Sequence, residues 1–220
     1  MFENHNFRVM ETSQSRSFMQ RVYGWMVAAL GVSAFTAYMV GTSPELVSLF
    51  YGNLSISIIL FVAYMGLGVY FSARLNHMSS SQAIAVYLLY AAVCGIMLSS
   101  LFLAYTMTSL VSTLLVTLGM FSAMALYGSF TRSDLSSLGD FLFMGLIGLI
   151  IAKIVGTFTA SANFSLMTAA AGVMIFTLFT AYDVQKIQQL GKQMLLSNQD
   201  MTRAALFGAF HLYLDFINLF

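Results

Sequence analysis

The chain has 220 residues, 59% of them hydrophobic and 8% charged, with a formal net charge of +1 and a mean hydropathy of +0.84. Soluble domains carry about 25% charged residues, so the composition excludes a soluble fold and reads as an all-α integral membrane protein. No basic patch points to nucleic acid. The single cysteine, Cys94, excludes an intramolecular disulfide and a cysteine-based zinc site, and reads as a small packing residue.

Residues 1–21 are polar and hold Arg8, Arg16 and Arg21. They read as a cytoplasmic arm, and not as a cleaved signal, because the apolar run after them is long. A spanning helix needs about 20 apolar residues. That rule predicts seven segments within one membrane domain over 22–220: Val22–Gly41, Leu54–Ala73, Ala83–Ala104, Ser109–Phe130, Phe141–Ala160, Phe164–Ile187 and Arg203–Phe220. The seventh is short, and whether it crosses fully or only dips into the bundle stays open. The only proline is Pro44, so any helix break must come from glycine or a polar residue.

Eight of the nine Lys and Arg residues fall on one side of this topology. They lie in the arm, at Arg74, at Arg132, and at Lys186, Lys192 and Arg203. The ninth, Lys153, is inside the fifth segment. By the positive-inside rule the N-terminus is cytoplasmic. Small residues four apart, at Ala91/Gly95, Gly148/Ala152 and Ala204/Gly208, read as helix-packing contacts.

The chemistry concentrates near the C-terminus. Two apolar segments each carry one acid, Asp183 and Asp215. An acid at the centre of a membrane helix costs about 2.5–3.5 kcal/mol on insertion scales, and its default reading is a functional site with a partner to be named. The two acids are each other's expected partner. His211, Asp215 and Asn218 follow at i, i+4 and i+7 and share one helical face. Thr180 lies one turn before Asp183. With the seventh segment starting at Arg203, Asp215 lies about 18 Å in, deeper than Asp183, and the offset between the two stays open. Arg74 and Lys153 are the candidate counter-ions. Two carboxylates in a low-dielectric site do not both ionise easily, and such a pair titrates as a unit. Deprotonated, it is an oxygen-rich transient site for a hard cation such as Ca²⁺.

The stretches Thr180-Ala-Tyr-Asp-Val-Gln-Lys-Ile187 and Leu212-Tyr-Leu-Asp-Phe-Ile-Asn-Leu-Phe220 closely resemble the signatures of the transmembrane Bax-inhibitor-motif family. So do Gly139-Asp-Phe-Leu-Phe-Met-Gly-Leu-Ile-Gly-Leu149 and Gly95-Ile-Met-Leu-Ser-Ser100. The short arm resembles that of bacterial members, which suggests a bacterial inner membrane. The resemblance implies six helices surrounding a short central seventh. It also implies a pH-sensitive Ca²⁺ leak, with Asp183 and Asp215 as the sensor and Arg74 as a latch on the closed form. Lys153 and His211 depart from the pattern. A fixed cation near the pair repels Ca²⁺, and His211 adds a group that titrates near neutral pH.

Two functional readings compete. One is a Ca²⁺-permeable leak, including calcium/proton exchange, with Ca²⁺ as permeant ion and no cofactor. The other is a regulator that binds membrane-protein partners, such as a membrane protease or cell-death factors. An enzyme is not expected. Asp215 follows Leu214 rather than lying in a Gly-x-Gly-Asp element, no Pro-Ala-Leu follows it, and the last helix has no lysine for a Schiff base.

Overall fold

The computed structural model describes residues 2–159, 161–197 and 201–220. They form helices with no strand among them, as backbone polar groups in lipid require. The order is α1 Phe2–Gly41, α2 Pro44–Tyr51, α3 Leu54–Arg74, α4 Ser80–Leu98, α5 Leu101–Ala104, α6 Met107–Phe130, α7 Ser136–Thr159, α8 Ala162–Ser197 and α9 Met201–Leu219.

Among the described residues six helical stretches are long and apolar enough to cross a membrane: Arg16–Gly41, Leu54–His77, Ser80–Ala104, Met107–Phe130, Ser136–Thr159 and Ala162–Gln193. They make the chain a multi-pass membrane protein. The seventh expected segment, α9, is a helix but is not among the six. Arg203, His211, Asp215 and Asn218 lower its hydropathy. Large side chains face outward on the spanning helices, with Ile59 67%, Val69 70% and Phe158 84% exposed. Water would not tolerate such a surface, whereas acyl chains match it.

Several boundaries differ from the hydropathy reading. The N-terminal arm is helical and continuous with the first span. Its Phe18 and Met19 are buried, with Phe18 packed on Gly191. The loop expected over 42–53 contains α2, with Pro44 at its first turn, where a missing N–H costs nothing. The third segment breaks after Leu98. There Ser99 and Ser100 donate their hydroxyls to the carbonyls of Ile96 (2.6 Å) and Met97 (2.9 Å). Tyr51 also donates to Ile96 (2.6 Å), so these carbonyls are satisfied without a continuing helix.

The chain divides into two compact units. The first comprises Met1–Ser112 and Gly191–Tyr213. Its core joins α1 to α4. Ser33 donates to the Ala91 carbonyl (2.7 Å) and Thr36 to that of Ala92 (3.2 Å). Gly95 makes this approach possible, since a Cβ there would lie 2.9 Å from Ser33 Cα. An aromatic cluster fills the rest. Phe210 lies tilted 4.8 Å from Phe71 and meets Tyr90 edge-on at 5.1 Å, and Tyr213 meets Tyr87 edge-on at 6.1 Å. The Tyr213 hydroxyl shares a 2.7 Å hydrogen bond with Ser33. Cys94 is buried as expected, in the neighbourhood of Tyr213 and Tyr64.

The second unit comprises Thr113–Leu190 and Leu214–Phe220. Here α6 and α8 touch backbone to backbone. A Cβ on Gly128 would lie 2.9 Å from both Cα and C of Ala181, and its carbonyl oxygen is nearer still. Gly139 of α7 lies against the Tyr182 ring. The α6–α7 loop is clamped to α8 by Gln185, which accepts from the Leu135 N–H and donates to the Ser133 carbonyl, both at 2.9 Å. In the same loop Asp134 accepts from the Ser136 N–H (2.9 Å). Hydrogen bonds from the Ser136 hydroxyl and N–H hold its carboxyl below the usual carboxylate range.

Gln185→Ala removes both clamp bonds and leaves the N–H of buried Leu135 unpaired, at about 1–3 kcal/mol. Amide exchange at residues 133–135 should then accelerate about tenfold or more. Unchanged exchange there would show that the clamp carries no stability.

Candidate functional site

The two acids are brought together. Asp183 is 8% and Asp215 5% exposed, and the charge of Asp183 acts on Asp215. Helix register explains why. The α8 helix continues ten residues past Ile187, to Ser197. Its 36 residues span about 54 Å, well beyond a hydrocarbon core of about 30 Å. Asp183 lies fourteen residues before Ser197, and Asp215 fourteen after Met201. Consecutive helices joined by a short connection run antiparallel as neighbours. The two acids thus stand equally far from these ends of α8 and α9, and α8 reaches beyond the Ile187 end on which an offset in depth was expected.

The surroundings are dry. Thr180, Val184 and Phe216 are buried, and Phe216 meets Phe121 edge-on at 5.5 Å. Thr180 donates its hydroxyl to the Phe176 carbonyl one turn back (2.9 Å), a habit of hydroxyls in apolar helices. Asp215 Oδ2 is buried and has no hydrogen-bond partner, an expensive arrangement for a carboxylate. The backbone contact at Gly128 and Ala181 falls two residues before Asp183 and fixes α8 at this level.

The other candidates fall elsewhere. Lys153 is exposed on α7, and the neighbouring charge acting on Asp215 is that of Asp183. His211 is half-buried, its ring tilted 4.5 Å from that of Phe207, one turn before Asp215 on α9. Asn218 is exposed and donates to the Leu214 carbonyl of its own helix (2.8 Å). The polar stripe thus passes from half-buried through buried to exposed. Arg74 is exposed in the first unit and lines a surface pocket. Among the described residues no three His, Cys, Asp or Glu side chains cluster as a metal site. Two carboxylates offer at most four oxygens, whereas Ca²⁺ takes six to eight. A cation here would keep much of its water.

Sequence reasoning did not single out Gln185, Gly128 or the Ser33–Tyr213–Cys94 cluster. Only the last has a sequence signal, polar atoms inside apolar segments.

A family model described as "Inhibitor of apoptosis-promoting Bax1" matches residues 15–220. The chain belongs to this family. The resemblance drawn from the aspartate segments is thereby borne out, and both acids lie within the matched region of the Bax1-inhibitor model. The chain is also similar to the inner membrane protein YbhL of Escherichia coli K12, 38% identical over 206 residues that cover 93% of this chain and 88% of that protein. Uncharacterized family relatives from Borreliella burgdorferi (38% over 203 residues, 92% and 88% covered) and Rickettsia prowazekii (38% over 209 residues, 93% and 86% covered) align over a similar extent.

Proposed function

We propose that the chain is a pH-sensitive Ca²⁺-permeable leak of a bacterial inner membrane, gated by Asp183 and Asp215. The observation that carries this reading is the pair itself. Two buried acids lie on consecutive helices, the charge of Asp183 acts on Asp215, and one Asp215 oxygen lacks any hydrogen-bond donor. One proton shared by the pair holds α8 and α9 together. Its loss leaves two like charges in an apolar site, which drives the helices apart and admits water and a hydrated cation. In this reading α9 is the seventh, central crossing, supported by its burial over most of its length. The inner membrane is supported by the similarity to YbhL, and a cytoplasmic N-terminus by the one-sided basic residues. A second reading, a regulator that binds another membrane protein, is favoured by the family's description as an inhibitor of Bax1.

The test is Ca²⁺ entry into liposomes holding the purified protein, between about pH 5 and 8, with Asp183→Asn and Asp215→Asn beside the parent. One shared proton changes the open population by at most about tenfold per pH unit. The expected result is a protein-dependent flux with such a slope, flattened in both variants. Flux unaltered by either variant removes the aspartate gate. Absence of flux at every pH favours the regulator.

A further inference from the structure

We propose that the surface pocket at the α3–α4 junction binds the phosphate of an anionic glycerophospholipid. The proposal is independent of the leak reading. The polar lining is Tyr70, Arg74, His77 and Gln82, in a pocket of about 320 Å³. All four can donate hydrogen bonds, and no carboxylate lines the pocket. Gln82 Oε1 is engaged by the Ser79 N–H (3.1 Å), so its Nε2 is the atom left to meet a ligand. Arg74 supplies a guanidinium fork suited to two phosphate oxygens.

Position selects the source of that phosphate. The pocket lies where the spans Leu54–His77 and Ser80–Ala104 end and begin, which is headgroup depth. The rest of its lining is apolar, formed by Met78, Ala85 and Val86. Val69, Tyr70 and Leu89, on the two flanking helices, are more than half exposed and continue that surface for an acyl chain. The turn at the pocket's edge is held from α9, because Arg203 donates to the Asn76 carbonyl at 2.9 Å. Basic pockets between helices on the cytoplasmic side suit anionic headgroups. A free phosphate would gain nothing from the apolar lining.

The test titrates the purified full chain in detergent with phosphatidylglycerol, phosphatidylcholine and inorganic phosphate, reading retained lipid by native mass spectrometry and the thermal midpoint alongside. Phosphatidylglycerol should be retained and raise the midpoint. Arg74→Gln should weaken that retention about tenfold. Ala85→Trp, which fills the pocket and keeps the arginine, should do the same, and it decides alone if Arg74→Gln does not fold. Arg132→Gln, an exposed loop cation in the other unit, should change nothing. Equal retention in the parent and Ala85→Trp would overturn the proposal, as would an equal loss in Arg132→Gln. Stabilisation by inorganic phosphate as strong as by phosphatidylglycerol would also overturn it, by making a soluble anion the ligand.

Discussion

Asp215→Asn should raise the thermal midpoint of the purified protein at neutral pH, and Asp183→Asn should raise it less. The double variant should gain less than the sum of the two. Asp215 holds a buried oxygen with no hydrogen-bond partner and feels the charge of Asp183. An amide of the same shape can neither ionise nor repel Asp183 and keeps the packing, so the variant is relieved of the cost of holding an ionisable carboxyl in an apolar site. Asp183 has no buried oxygen left without a hydrogen-bond partner, which explains the asymmetry.

The non-additivity is the sharper quantity. Either substitution alone abolishes the repulsion between the two acids, and the second has none left to remove. A double-mutant cycle should therefore return a coupling of about 1–3 kcal/mol. In a chain of this size each kcal/mol moves the midpoint by about 2–4 °C. The coupling should disappear in acid, where the parent pair carries its protons. Strict additivity at neutral pH would mean that the acids do not act on each other, and the gating mechanism would lose its basis.

The acids were legible in the sequence because ionisable residues stand out within apolar segments. Their register was not. Hydropathy ended the sixth segment at Ile187 because Gln188, Gln189, Lys192 and Gln193 follow. Those residues are polar but remain good helix formers, so α8 runs on to Ser197. Hydropathy reports where the bilayer ends, and the helix end is a separate question. The same distinction accounts for the N-terminal arm, whose polar residues belong to α1. The small-residue rule succeeded at Gly95, where α1 packs closely. It failed at Gly148, which has no atom of another element within 4 Å of an added Cβ. Nor did it point to Gly128, whose neighbours four residues away are Met124 and Arg132. There the small partner is Ala181, on another helix, and no intrahelical pattern records it.

Gly128→Ala tests that contact, and it should be among the most damaging single methyl additions in the second unit. The added Cβ meets the Cα, C and carbonyl oxygen of Ala181. Backbone atoms cannot move aside by changing rotamer, so either α6 or α8 must shift as a body. Overpacking of this kind costs about 2–4 kcal/mol. Gly148→Ala provides the control. It places the same methyl in open space and should gain about 0.5–1 kcal/mol from helix propensity alone. The thermal midpoints of the two variants in one detergent should therefore move in opposite directions. Ala181→Gly should not rescue Gly128→Ala, because the obstructing atoms belong to the main chain and survive the substitution. A rescue would instead assign the contact to the Ala181 methyl. Because Ala181 lies two residues before Asp183, a shift of α8 should also change the coupling measured between the aspartates. A Gly128→Ala protein as stable as the parent, with that coupling intact, would show that the α6–α8 backbone contact does not hold the acids in register.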